Sequence, residues 1–459
     1  MAIVPKVPRP PRLPLALRIV DPFRRFVQVK SASGVVLIAA AVAAMVWANV
    51  DATSYAAVWR TPIGFAVGTW RFEMPLQLWI NDVLMSVFFL LVGLEIKREL
   101  LVGELSTFGS AMLPLLAALG GMVAPALIYL VFNRGGPGAS GWGVPTATDI
   151  AFALGVLALV AKRAPQGLTV FLAALAIVDD LGAVLLIGLV YGHAPTAASL
   201  GWVALALLAL VLANAAGVRR PGVYLALGLL LWVAVHASGI HATVAGVLLA
   251  FTVPARALID PDDFASHAGK TLVAFRASSG SGATMLSNEV QQHAIASLEE
   301  AAEAALPPLA RMLHALHVPV NFVIMPVFAL ANAGIALEGL GPSAIGPVSI
   351  GIVAGLVLGK PIGILLATRL ALAFGARLPS GVGWGQLAGA ACLAGIGFTM
   401  SIFVASLAFP SAQALDEAKL GIVVASIVAG ALGAVVVSLA GRRADAPAGA
   451  PESVVPSVG

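Results

Sequence analysis

The chain has 459 residues, of which 60% are hydrophobic and only 10% are charged, whereas soluble domains have about 45–50% apolar and about 25% charged residues. This composition leaves too little polar surface to cover an apolar core in water, so it excludes a soluble globular protein and predicts a chain that mostly contacts lipid. The net charge is only +4, and the single cysteine, Cys392, excludes a disulfide framework and a multi-cysteine metal site.

Residues 1–30 contain seven basic residues and several prolines but no continuous apolar segment. A cleaved signal peptide needs such a segment, so the pattern instead predicts a cytoplasmic N-terminal tail. A second tail, also predicted to be cytoplasmic, follows over 441–459. The residues between the tails, 31–440, are predicted to form one membrane transporter domain.

This domain contains repeated apolar stretches of about 20 residues, the length that crosses a bilayer as a helix. The sequence therefore predicts an all-α polytopic membrane protein with twelve spans, of which the seventh and eighth are short. The predicted spans are 33–50, 78–96, 108–132, 144–161, 168–191, 198–217, 223–235, 239–251, 318–337, 348–374, 387–407 and 420–440.

The positions of Lys and Arg give these spans an orientation. If the first tail is cytoplasmic, 21 of the 26 Lys and Arg lie in inside segments or, for Arg369, near the inner end of a span. Four lie in outside segments, and Lys360 lies near the middle of a span. This bias agrees with the positive-inside rule, and it predicts that both termini are cytoplasmic.

Two segments outside the spans are long enough to have structure of their own. The predicted outer segment 51–75 is rich in Trp, Phe and Gly, which fits either a small hairpin or an ordered loop. The predicted cytoplasmic segment 255–313 contains a helix-like pattern over 288–305 and is interpreted as an insertion of unknown role.

Five ionisable residues within predicted spans are candidates for a functional role: Asp82, Asp149, Asp179, Asp180 and Lys360. A charge at the centre of a membrane helix costs about 2.5–3.5 kcal/mol on insertion scales, so such residues persist mainly where they function or pair. Asp180 and Lys360 are central in their spans, whereas Asp82 lies near an interface, where a charge costs little.

Span four is predicted to be interrupted just before Asp149. Pro145 biases Val144 away from helical geometry, and an extended chain advances about 3.3 Å per residue. Asp149 is therefore predicted to reach the membrane midplane at the start of a half-helix.

Span eleven contains Gly395, Gly397 and Thr399 in one short run, and two glycines so close together weaken a helix. Spans 3–5 and 10–12 are triplets of opposite orientation, and each has its interrupted member in the middle. This pattern predicts an inverted repeat in which two interrupted helices cross near the midplane at an ion site. The alternative is that the glycines serve close helix contacts.

Burial in a low dielectric disfavours the charged form of a carboxylate, so such a group binds protons readily. If Asp149 and Asp180 face a cavity beside the Thr148 hydroxyl, a small cation competes with protons for them, and the site couples the two fluxes. Adjacent residues diverge by about 100° on a helix, so we expect Asp180 to bind the cation and Asp179 to face Lys360. For Asp179 and Lys360, a structural ion pair and proton carriage are both consistent with the sequence.

Nine runs of this sequence resemble the NhaA-type bacterial Na+/H+ antiporters. They are 80–82, 88–95, 97–100, 147–155, 174–182, 241–243, 328–334, 359–361 and 395–401. The resemblance covers about 29–440 apart from the insertion. It implies a twelve-helix bacterial inner-membrane protein that exchanges cytoplasmic Na+ or Li+ for more than one external proton and needs no cofactor.

The resemblance also implies roles for individual residues. It assigns ion and proton binding to Asp149, Asp179 and Asp180, with Na+ held at Asp149 and Asp180. Thr148 matches the neighbour of the helix break, and Lys360 matches the intramembrane lysine. Segment 51–75 would supply a dimer contact, and no nucleic-acid partner is expected.

A response to pH is a further implication, centred on Glu95, with Arg98, Glu99, His241 and Asp82 as the other candidates. Simpler interpretations exist for these residues. The residues at 95–99 fit an ordinary solvated helix end, and His241 fits a packed histidine.

The start of span nine departs from the family pattern. His314 and His317 lie at the predicted cytoplasmic surface, where family members often have an acidic residue before the first histidine. Here that residue is Leu313. This departure and the insertion leave the pH range of the response open, although not the transport chemistry.

Other function classes were weighed against antiport. An intramembrane aspartyl protease also places two aspartates on neighbouring membrane helices, but its Gly-x-Gly-Asp motif is absent and Lys360 has no part in its chemistry. A cation channel, a K+/H+ exchanger and a Na+ symporter for an organic solute are further alternatives.

Overall fold

The computed structural model describes residues 32–68, 70–160, 164–192, 195–278, 288–336 and 345–444. The predicted N-terminal tail and most of the C-terminal tail lie outside the described residues. The helices are α1 Ala32–Val50, α2 Ala52–Arg60, α3 Leu76–Val102, α4 Phe108–Asn133, α5 Ile150–Val160, α6 Gln166–Val190, α7 Ala197–Ala215, α8 Pro221–Ser238, α9 Val244–Thr252, α10 Pro261–Ala277, α11 Glu289–Ala305, α12 Pro308–Asn332, α13 Pro347–Ala373, α14 Trp384–Ala394, α15 Phe398–Ala408 and α16 Ala412–Ala444, with a 3₁₀ helix at Ala139–Thr146.

Ten helical segments in the described part of the chain are long and apolar enough to cross a membrane, or eleven if α14 and α15, bent by 42°, count as one broken span. The protein is thus a multi-pass membrane protein, but twelve spans are not confirmed. The predicted eighth span, 239–251, is the nine-residue helix α9. Gly239 ends α8 with a φ of +86°, so the chain turns before α9 begins, and at about 1.5 Å per residue α9 is too short to cross alone.

Several predicted boundaries differ from the observed helices. The seventh span lengthens to the 18 residues of α8. Helix α12 begins at Pro308, inside the predicted insertion 255–313, because a proline is well tolerated in the first turn of a helix. Helix α16 begins eight residues before the predicted span 420–440 and continues into the predicted tail.

The predicted insertion contains two helices that pack against each other. The predicted helical stretch 288–305 is helix α11, whose first turn is capped by the Asn288 side chain. His267 on α10 contacts Ser297 on α11 through Nε2 and Oγ at 2.8 Å. Residues 279–287, between the two helices, lie outside the described residues.

The segment 51–75 forms a hairpin, one of the two alternatives left open by its sequence. Strands β1 Pro62–Val67 and β2 Trp70–Pro75 pair antiparallel, with Ile63 opposite Met74. Before them, Tyr55 on α2 donates to Leu330 O at 2.9 Å and accepts from Gly334 N at 3.1 Å. Burial raises the pKa of Tyr55 to about 12, so this hydroxyl stays protonated at alkaline pH.

Three π turns interrupt the long helices, at Trp79–Leu84 in α3, Val320–Ile324 in α12 and Gly355–Gly359 in α13. The last two come shortly before Pro326 and Pro361. Proline has no N–H to donate to the preceding turn, so the helix widens locally instead of breaking. These turns were not predicted from the sequence, and the one at Gly355–Gly359 directly precedes Lys360.

Helices α4 and α13 cross in close contact through glycine. A Cβ atom on Gly363 would overlap the backbone carbonyl of Gly120, and one on Gly120 would overlap that of Gly363. A Cβ on the next residue, Gly121, would lie 2.9 Å from Ile364. Small residues allow membrane helices to approach this closely, and this contact fixes the part of α13 that begins with Lys360.

We predict that Gly363→Leu destabilises the protein, because the new side chain cannot fit between two backbones in contact. Overpacking of this kind costs about 1–3 kcal/mol, and for a chain of this length we expect the melting temperature to fall by roughly 1–3 °C. Thermal unfolding of the purified protein in detergent measures this change. Gly201→Leu on α7 is the matched control, since a Cβ there has no atom within 4 Å; equal effects of both variants would contradict the prediction.

Candidate ion-binding site

Two breaks in the chain cross at the centre of the molecule. The 3₁₀ helix ends at Thr146, and α5 begins only at Ile150; α14 ends at Ala394, and α15 begins at Phe398. The Asp149 N–H donates to Ile396 O at 2.7 Å, and the Thr148 hydroxyl donates to Ala394 O at 2.8 Å. The predicted half-helix that starts at Asp149 is therefore present, and the second predicted interruption lies against it.

The Asp149 carboxylate is bound by the first turns of two half-helices. Its Oδ1 accepts from Phe152 N in α5 at 3.0 Å, and its Oδ2 accepts from Thr399 N in α15 at 3.2 Å and from the Thr399 hydroxyl. Helix N-termini carry partial positive charge, so both stabilise an anion at this position. Asp149 is only 1% exposed.

The glycines of the second break permit the crossing. A Cβ on Gly397 would overlap the Ser401 hydroxyl and lie 3.2 Å from Ala147 O, and a Cβ on Gly395 would lie 2.5 Å from Leu356 O. Neither residue has a positive φ. These glycines thus permit close approach of neighbouring chain segments, which was the alternative interpretation of their positions. The helix is also interrupted there, as the first interpretation predicted.

Lys360 and Asp179 form a fully buried ion pair. The Lys360 Nζ donates to Asp179 Oδ2 at 2.8 Å and to the backbone carbonyl of Thr146. Thr146 ends the 3₁₀ helix, and helix C-termini carry partial negative charge, so the lysine lies between two groups that stabilise a cation. The expected contact between Asp179 and Lys360 is present.

Asp180, the next residue on α6, has a different environment. It is 2% exposed, and its Oδ2 has no hydrogen-bond partner among the described residues. Asp149 and Asp180 line a cavity of about 220 Å³, whereas Asp179, Thr148 and Lys360 do not line it. A water molecule occupies about 30 Å³ in the liquid, so the cavity has room for several. A buried carboxylate without donors attracts a proton or a cation.

The same cavity extends toward the predicted cytoplasmic side, where Glu95 and His317 line it. Glu95 Oε1 lies 3.3 Å from His317 Nε2. Arg98 instead pairs with Glu99 at 2.9 Å, so of these three candidates only Glu95 contributes to the cavity. His317 was not among the predicted site residues. Its contact with Glu95 joins two helices that are distant in sequence, so no local pattern indicates it.

Asp82 and His241 form a separate cluster that does not line this cavity. Asp82 Oδ1 lies 3.7 Å from His241 Nε2, and Asp82 Oδ2 lies 3.8 Å from His236 Nδ1. His236 was not among the predicted site residues. Its ring stacks on Trp232, four residues earlier on α8, with centroids 5.2 Å apart, and this i, i+4 spacing was visible in the sequence.

In the described part of the chain, no three His, Cys, Asp or Glu side chains converge on a metal position. A cation at Asp149 and Asp180 would therefore need water or carbonyl oxygen for its remaining ligands. Such a partly hydrated site fits a cation that is bound and released, whereas a resident metal ion usually has a fuller set of protein ligands.

The comparison with protein families identifies this architecture. The family model described as Na+/H+ antiporter 1 matches residues 24–437. The chain is 48% identical to the Na(+)/H(+) antiporter NhaA of Oleidesulfovibrio alaskensis, over 90% of this chain and 92% of that protein. It is 47% identical to the protein of the same name from Acidithiobacillus ferrooxidans, over 93% of this chain and 100% of that protein. The chain therefore belongs to the Na+/H+ antiporter 1 family, whose members are transporters and not enzymes.

Proposed function

We propose that this protein exchanges cytoplasmic Na+ or Li+ for external protons by alternating access. The observation that carries the proposal is that Asp149 and Asp180 line one cavity and that the buried Asp180 Oδ2 has no donor among the described residues. The names of the relatives support Na+ and H+ as the exchanged ions. No contact in the site favours a protease, because Asp149 is bound by two helix N-termini.

Exchange follows from competition at the two carboxylates. Two protons neutralise Asp149 and Asp180, whereas one Na+ leaves the pair with a net charge of −1. Moving one Na+ outward and two protons inward therefore transfers charge, which makes the exchange electrogenic and sensitive to the membrane potential. Without either ion, two negative charges in a buried site oppose the transition between inward and outward states.

Alternating access is supported by the interrupted helices. We propose that α4 to α6 and α13 to α16 form an inverted repeat, since the middle member of each group is broken and the breaks cross at Asp149. The cavity at Asp149 also contacts Glu95 and His317, which lie at the predicted cytoplasmic end. Rocking of the broken helices would close that side and open the other while the carboxylates stay in place.

We propose that Glu95, His317 and the Asp82 cluster make the rate of this exchange depend on pH, because histidines and buried carboxylates change their charge with pH. We also propose a bacterial inner-membrane location with both termini cytoplasmic. The positive-inside bias of Lys and Arg supports this orientation.

Asp180→Asn tests the main proposal. The amide has a similar shape but neither binds the exchanged proton nor supplies a negative charge to the cation. In everted vesicles with a proton gradient, the wild type should release protons on addition of Na+ or Li+, and we expect the variant to lose at least about 99% of this response, in line with removal of an essential acid–base group.

The control is Asp263→Asn on the exposed helix α10, which should leave proton release unchanged. Retention of Na+-driven proton release by a folded Asp180→Asn protein would contradict the assignment of Asp180. Absence of Na+ and H+ exchange in the wild type would contradict the proposed function itself.

We propose that Asp179 and Lys360 act as a structural ion pair and do not carry the second proton, because both are buried away from the cavity. Removing one partner of a buried pair costs about 3–5 kcal/mol, whereas replacing both is often close to neutral. Lys360→Met should therefore lower the melting temperature, and Asp179→Asn/Lys360→Met should recover most of it.

The double variant also distinguishes the two roles. If the pair is structural, the reversal potential of exchange in proteoliposomes should equal that of the wild type. A shift of the reversal potential to that of electroneutral exchange would instead assign a transported proton to Asp179 or Lys360.

We propose that the β1–β2 hairpin supplies a homodimer contact. In the described part of the chain this sheet has two strands, so each has an edge without a neighbouring strand, and N–H and C=O groups at such edges readily pair with another chain. Replacing 62–75 by a Gly–Ser linker should shift the protein from dimer to monomer in light scattering while Na+ exchange persists. A wild-type protein that is already monomeric, or a variant that remains dimeric, would contradict this contact.

A further inference from the structure

One wall of the site cavity is a stripe of three residues on α12, each four positions after the last. His317, Asn321 and Met325 all line the cavity. In a regular α-helix a step of four residues drifts by about 40° around the axis. The π turn Val320–Ile324 is wider than an α turn and offsets this drift. The wider turn therefore keeps Asn321 on the cavity face between His317 and Met325.

The Asn321 side chain is half-buried and makes no hydrogen bond with another described residue. Asparagine in a membrane helix commonly joins helices through hydrogen bonds. Asn332 on the same helix does so, since its Nδ2 donates to Asn81 Oδ1 at 2.9 Å. Asn321 lacks such a bond among the described residues, so helix association does not explain it.

The polar groups of the cavity differ in what they offer to a cation. Glu95 is paired with His317 at the predicted cytoplasmic end, and the Asp149 oxygens already accept from backbone N–H groups. Between these ends, most of the lining is apolar, including Met325 and Met400. A small cation that enters must lose water there, and oxygen ligands offset that cost. Asn321 supplies one amide oxygen.

We propose that Asn321 is a ligand for the cation on its way from the cytoplasm to Asp180, with its amide oxygen replacing one water of a hydrated Na+ or Li+. This inference rests on the proposed function and deepens it. It predicts that Asn321 sets the affinity for the cation and does not take part in proton binding, because an amide does not titrate near neutral pH.

The test compares Asn321→Ala with Val323→Ala in the purified full-length protein. Val323 lies on the same π turn but is 56% exposed, on the outer surface of the molecule. We expect Asn321→Ala to raise the calorimetric Kd for Na+ and the KM for Na+ in exchange about three- to tenfold, with the maximal rate within about twofold, as for loss of one polar contact. Val323→Ala should change neither.

Asn321→Leu, which is close in size to asparagine and apolar, repeats the measurement if the alanine variant is unstable. It should show the same loss of affinity, and the pH profile at saturating Na+ should match that of the wild type. A Kd for Na+ equal to the wild-type value in a folded Asn321→Leu protein would overturn this inference while leaving Na+/H+ exchange intact. Absence of exchange in the wild type would overturn the proposed function, and calorimetry would still decide whether Asn321 binds Na+.

Discussion

The crossing of two broken helices is the constraint on which the rest of this structure depends. Backbone groups at this depth have no lipid partner, so each break must be satisfied by the other or by side chains. The Asp149 N–H and the Thr148 hydroxyl donate to carbonyls of the second break, and Thr399 donates to the Asp149 carboxylate. One carboxylate thus belongs both to the scaffold and to the proposed ion site, so a change at Asp149 would affect both.

Around this crossing, the fold separates two neighbouring aspartates into different environments. Asp179 contacts the Lys360 ammonium, which also binds the end of the 3₁₀ helix. Asp180 lines the cavity, and its buried Oδ2 has no hydrogen-bond partner among the described residues. The angle of about 100° between adjacent helix positions is enough to place one carboxylate in an ion pair and the other at the cavity, where we propose that it binds the exchanged ions.

The surrounding helices keep this arrangement in place while leaving access to it. Gly120 and Gly363 bring α4 and α13 into contact beside Lys360, which holds the ion pair rigidly. The π turns of α12 and α13 rotate the helix faces by part of a turn. The turn in α12 places Asn321 at the cavity, and the turn in α13 directly precedes Lys360. Close helix packing thus lies on one side of the site and a cavity on the other, an arrangement consistent with the proposed alternating access.

Hydropathy, proline and charge are local signals, so they predict the lipid environment, most spans, the interrupted helix at Asp149 and the buried charges. The contact between Glu95 and His317 and the cluster of His236 with Asp82 appear only in the folded molecule, because they depend on which helices become neighbours. The shortness of α9 likewise depends on a turn at Gly239 that hydropathy does not detect.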